Sequence, residues 1–151
     1  MRVRLSCLLL FAVLMLAWHG TPDSLLAQER FLISVDTILA ARNDAVVDPQ
    51  LKPHIGELQA MFNYTSYRLL GSERLNLSAG QSGMVSLPGD RRLKITPHTI
   101  HGSRADISLQ MMKKKRTVFE TQIQLLNRAS LFVGGPKYLN GNLIFKISSA
   151  Y

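Results

Sequence analysis

The sequence predicts a mainly β protein with one helix, a single-domain β-sandwich or open barrel of about eight or nine short strands. Three observations carry this. From Phe31 to Ser148, apolar and polar residues alternate over most segments, as in half-buried strands. Turn signals built on Gly, Pro, Asn and Asp recur about every ten residues. Only one stretch, DPQLKPHIGELQAMF, repeats its apolar residues at helical spacing. With 151 residues, 46% hydrophobic and 19% charged, the chain suffices for one core and is no wholly disordered polymer.

Residues 1–27 read as a signal peptide and residues 28–151 as the single β-rich domain. Arg2 and Arg4 precede an apolar run, Leu5 to Trp18, of 14 residues. That length suits a secretory h-region and falls short of the roughly 18 residues of a spanning helix. Ala27 with Leu25 two residues before it marks the cleavage site, so the processed chain begins at Gln28. Cleavage removes Arg2, Arg4 and Asp23 and takes the formal charge from +8 to +7. It also removes the one cysteine, Cys7, which excludes thiol catalysis and suits an oxidising compartment. The expected location is periplasmic or extracellular, soluble after cleavage.

The processed chain opens with FLISVDTILAA. Phe31, Ile33, Val35, Thr37 and Leu39 share one face, and the other face is also partly apolar, which predicts a central strand. ARNDAVVD is a loop. In the helical segment Leu51, Ile55, Leu58 and Phe62 form one stripe that should cover a sheet. Asp48 before Pro49 has the form of an N-cap. Pro53 would clash with the Pro49 carbonyl, so the regular helix should begin near Pro53 after an irregular turn.

Next, TSYRLL is a strand broken at Gly71-Ser72, and RLNLS is another. MVSL and RRLKI flank Pro88-Gly89-Asp90, a type II hairpin turn. TPHTIHGS is a loop or bend. ADISLQMM and TVFETQIQL form a second hairpin whose tip is Lys113–Arg116. Four adjacent cations there should repel and hold an open, solvated loop. SLFV ends at a Gly-Gly-Pro break, and Asn140-Gly141 turns the chain into a last strand with Leu143, Phe145 and Ile147 on one face.

Two stretches, FNYTSYRLLGSERLNLSAGQSGMVSLPGDRRLKI and LFVGGPKYLNGNLIFKIS, resemble a loosely defined set of small exported bacterial β-proteins of unassigned function. In these an amphipathic helix precedes an aromatic-rich Y-R-L-L strand, and a Gly-Gly-Pro segment precedes the last strand. The resemblance covers most of residues 31–148 and implies fold and export, not activity. The tail also resembles the strand–Gly-Gly–strand ending of bacterial secretins.

The chemistry-bearing residues form few constellations. His98-x-x-His101, with Asp106 as a third donor, is half a metal site that would need a bend to close. His54 stands alone. Asp36 is the acid most open to burial, and reads as hydrogen-bonded sheet structure rather than as a catalyst. No G-x-S-x-G elbow or local pair of acids occurs, and Gly134-Gly135-Pro136-Lys137 lacks the phosphate-loop spacing. Asn63 and Asn76 sit in glycosylation sequons, relevant only in a eukaryotic source. No catalytic residue, cofactor or metal is assigned.

The cations are the strongest surface signal. Arg91, Arg92 and Lys94 follow the Pro-Gly turn; Lys113, Lys114, Lys115 and Arg116 form the second tip. They fit phosphate-bearing partners, or solubility and protection of strand edges. Sparse aromatics near them, and export, argue against nucleic acid. Three readings stand in order: a non-enzymatic envelope module that binds another protein or assists an assembly; a binder of anionic lipid or polyanion surfaces; and a hydrolase with an unrecognised site.

Overall fold

The structure is a computed structural model and describes residues 29–151. The predicted leader and its cleavage site lie outside them. Strands make up 67% of the described residues against a helical segment of 13 residues, so the described part is mainly β with one helix.

Eight strands form two four-stranded antiparallel sheets. The first contains β1 (Arg30–Ala41), β2 (Ser66–Ser78), β7 (Ala129–Tyr138) and β8 (Gly141–Ala150) in the order β2-β1-β8-β7. The second contains β3 (Gly83–Leu87), β4 (Arg91–His101), β5 (Arg104–Lys113) and β6 (Arg116–Leu126) in sequence order. The order is that of an up-and-down meander flattened along two seams. Between β2 and β3, and between β6 and β7, the chain crosses sheets without a shared ladder. The result is a sandwich and not a closed barrel.

The alternation read from β1 places its side chains. Phe31, Ile33 and Val35 are fully buried between the sheets. They meet Leu143, Phe145 and Ile147 of β8 and, across the sandwich, Leu93, Ile95, Ile107 and Leu109. Each such side chain contributes about 1.5–3 kcal/mol by leaving water. β1 is central, flanked by β2 and β8. Its other face turns from Ser34 and Asp36 to Ile38 and Ala40, which lie in a second core.

That second core is covered by the helical segment. Pro49–His54 is a 3-10 turn, and the regular helix α1 (Ile55–Met61) begins just past Pro53, as the proline spacing predicts. Leu51 and Leu58 are buried against Ile38, Tyr67, Phe132 and Ile144, with Ile55 and Phe62 at the margin. The Tyr67 hydroxyl donates to the Phe62 carbonyl at 2.7 Å and reaches the Leu58 carbonyl at 3.3 Å, anchoring the end of α1. Among the described residues the buried side chains of both cores fall within 31–147, with Tyr151 packed at the margin of the first, so the predicted domain 28–151 contains both cores.

Several expectations are corrected. Asp48 holds the N-cap position with Pro49 first in the turn, but its side chain makes no cap. Residues Val46–Asp48 run along the free edge of β2, and the Asp48 carboxylate accepts the Leu69 amide there at 2.6 Å. Gly71-Ser72 is not a break: β2 runs through, with a register shift opposite Thr37 and Ile38 that leaves Leu70 as an extra residue. TPHTIH is strand, with an irregularity between Pro97 and Ile100, and β7 likewise passes Gly-Gly-Pro with a shift between Gly134 and Lys137. In each case Gly or Pro marks a bulge, which disrupts the ladder locally without ending the strand. This removes the ninth strand and makes the strands longer than expected. The last turn is centred on Leu139-Asn140, one residue earlier than expected, because Tyr138 pairs with Gly141.

The Lys113–Arg116 tip is not an open loop. Lys113 pairs with Arg116, leaving a two-residue turn in which Lys114 and Lys115 both have positive φ, 46° and 65°. Pairing of the flanking strands, which resumes past a register shift that leaves Val118 as an extra residue, closes the turn against charge repulsion.

Candidate functional site: a cationic end of the sandwich

In a meander, alternate connections leave at the same end. The β1–β2, β3–β4, β5–β6 and β7–β8 connections therefore cluster together. Two of them carry the basic groups that stand apart in the sequence. Arg91 of β4 pairs with Lys113 of β5, which pairs with Arg116 of β6, so one row across three strands is cationic. Arg92 follows one residue further along β4, and Lys114 and Lys115 project beyond the row.

Between these groups lies an open cleft of about 680 Å³, lined by Ser86, Leu87, Gly89, Asp90, Arg91, Arg92, Met112, Lys114 and Lys115. Asp90 is its only acid. The Arg91 guanidinium is braced: Nη1 donates to the Pro88 carbonyl at 3.1 Å and Nη2 to the Lys137 carbonyl at 3.2 Å. The second bond reaches the opposite sheet and joins this cleft to a hollow of about 370 Å³. The hollow is lined by Arg42, Tyr64, Lys137, Leu139, Asn140, Gly141 and Asn142. Arg42 donates from Nε to the Asn63 carbonyl at 2.7 Å and lies 5.5 Å from the Tyr64 ring centroid.

Among the described residues, none of Arg42, Arg91, Arg92, Lys113, Lys114, Lys115, Arg116 and Lys137 is in an ion pair within 4 Å. Arg68 differs, because it is paired with Asp44. The Ser66 hydroxyl and, working against burial, the Arg68 guanidinium hold the Asp44 carboxyl below the usual carboxylate range. Lys94 also stands apart from the end. It faces outward in a shallow depression of about 230 Å³ with His98, Ser108 and Glu120. Six of the seven predicted anion-binding residues thus come together. Arg42 and Lys137 join them without a local sequence signal, since each is a lone cation brought in by topology.

The tips are also strained. Of the five non-glycine residues with positive φ among those described, Lys114, Lys115, Asp90 (φ 55°) and Leu139 (φ 50°) lie at this end, and Arg128 (φ 61°) lies at the other. For an L residue other than Gly that conformation costs roughly 1–2 kcal/mol.

The other candidates separate. His98 shares a 2.7 Å hydrogen bond with Ser108, whereas His101 Nε2 lies 3.5 Å from Asp106. Ser108 and Asp106 therefore engage different histidines. No group of three metal-ligating side chains occurs among the described residues. Asp36 accepts the Ser72 hydroxyl at 2.6 Å and lies 3.8 Å from Lys146 Nζ, on the outer face of the first sheet. His54 packs edge-on to Phe132, centroids 5.9 Å apart. No described helix is long and apolar enough to cross a membrane.

Fold and site together define an antiparallel two-sheet sandwich with a cationic end. Comparison with family models, with curated proteins and with solved structures finds no match for this chain.

Proposed function

We propose that this chain is an exported, non-enzymatic envelope module that holds a polyanionic surface against the cationic end. The observation that carries the reading is the register placing Arg91, Lys113 and Arg116 in one row beside Lys114 and Lys115. Unpaired cations focused on an open cleft attract phosphate-bearing polymers over a distance set by salt. The leader pattern with Arg2, Arg4 and the Leu5–Trp18 run supports export.

The test is binding of long-chain polyphosphate at low and physiological salt. Wild type should bind more tightly at low salt, and replacement of Lys113, Lys114 and Lys115 by Ser should weaken binding. Equal, weak binding by both proteins would overturn the reading.

One observation favours docking of another envelope protein instead. β6 is an end strand with a free edge, and Phe119 on it is left exposed. Phe119→Lys should disrupt such docking, yet should not weaken polyphosphate binding.

A further inference from the structure

We propose that the cationic end docks on an anionic bilayer, with Leu139 entering the boundary between headgroups and acyl chains while the surrounding cations meet lipid phosphates. This rests on the polyanion reading and narrows it to a membrane surface.

Leu139 is the first observation. Its exposure is 76%, the highest among the exposed large apolar residues described. It belongs to neither core. It occupies the first position of a two-residue hairpin turn, with φ 50°. Asn or Gly would meet that backbone with less strain and remain wetted. A leucine there serves neither folding nor solubility.

Its surroundings are the second observation. Leu139 shares its hollow with Arg42, Lys137 and Tyr64. The bond from Arg91 to the Lys137 carbonyl joins that hollow to the cleft of Arg92, Lys114 and Lys115. An apolar tip flanked by unpaired cations matches the layering of an anionic bilayer, with phosphates outside and hydrocarbon beneath. Half-buried Tyr64 adds an amphipathic ring of the kind enriched at membrane–water interfaces. A soluble polyanion would engage the cations and leave Leu139 without a role.

The experiment uses the processed chain, residues 28–151, with phosphatidylcholine vesicles with and without phosphatidylglycerol, and with long-chain polyphosphate. Leu139→Asn suits the turn and should fold. It should weaken binding to phosphatidylglycerol vesicles about tenfold, as removal of one buried apolar side chain does. It should leave polyphosphate binding unchanged. Leu139→Trp supplies a clean reporter, because the chain's one tryptophan, Trp18, falls in the leader. Its emission should shift to the blue on phosphatidylglycerol vesicles and not on polyphosphate. Unchanged vesicle affinity of Leu139→Asn, or no blue shift of Leu139→Trp on vesicles, would overturn insertion; retained polyphosphate binding would then leave the broader reading standing. Failure to bind either polyphosphate or vesicles would overturn both.

Discussion

Arg91 Nη2 donates to the carbonyl of Lys137 at 3.2 Å, one of the polar contacts that join the two sheets at the cationic end. The partner is a backbone carbonyl, so the guanidinium keeps its full charge. Arg91 thereby holds the β3–β4 turn against β7 and still faces the cleft.

Arg91→Lys separates these roles. A lysine keeps the charge but cannot reproduce the planar fork that reaches both Pro88 and Lys137. The variant should bind polyphosphate nearly as wild type while losing about 1 kcal/mol of stability, the usual size of such a hydrogen-bond loss. Urea unfolding measures the second effect. An unchanged midpoint would show that the brace does not hold the sheets.

Leu58 tests the second core. It is fully buried between α1 and the outer face of the first sheet. Leu58→Ala should cost about 2–5 kcal/mol, as buried large-to-small changes do. A loss below about half a kcal/mol, outside that range, would show that the helix is only loosely seated.

Tyr67 links α1 to the sheet through its hydroxyl, which donates to the Phe62 carbonyl. Tyr67→Phe should cost about 1 kcal/mol. Burial pushes the Tyr67 phenol above its ordinary value of 10.0. As pH rises past about 10, the unfolded chain releases this proton before the folded one. The stability it contributes is full below that point and lost as pH climbs through the folded value. The Phe variant should lack this part of the alkaline loss, which stability curves between neutral and strongly alkaline pH would show.

The period-two pattern located the strands because each buries one face, and Phe31, Ile33 and Val35 lie where that pattern puts them. It misplaced the breaks at Gly71, Pro97 and Gly134, since a bulge and a turn share the same residues and differ only in whether pairing resumes. The two basic clusters were legible as local runs. Their meeting was not, because it depends on which connections share an end. Arg42 and Lys137 carried no local signal for the same reason. Leu139 escaped notice because a lone leucine beside a turn looks like the end of a strand.

Gly141 marks a close approach that the turn signal alone does not reveal. A Cβ there would lie 2.1 Å from the Ala40 carbonyl oxygen, backbone that cannot move aside cheaply. Gly141 pairs with Ala41 where β8 meets β1. Gly141→Ala should therefore destabilise by about 3 kcal/mol, the upper part of the overpacking range. A cost under about 1 kcal/mol, the lower limit of that range, would show that the two strands can part locally at that end.

The lysine turn yields the sharpest prediction, because stability and binding should move in opposite directions. Lys114 and Lys115 both hold left-handed backbone, and they are adjacent cations in the sequence. A two-residue hairpin turn of this kind favours Asn-Gly, whose backbone accepts positive φ readily. Lys114→Asn with Lys115→Gly should relieve strain and repulsion and stabilise the protein by about 1–2 kcal/mol. The same change removes two cations from the cleft and should weaken polyphosphate binding at low salt. Backbone strain clustered at one end of a fold points to a functional surface there, which this variant tests. The double variant is read by urea unfolding and by polyphosphate titration. A gain in stability with unchanged binding would remove Lys114 and Lys115 from the site and leave Arg91, Arg92, Lys113 and Arg116 to carry it. A loss of stability would show that the turn is not strained by its lysines, and the argument from its backbone would fail.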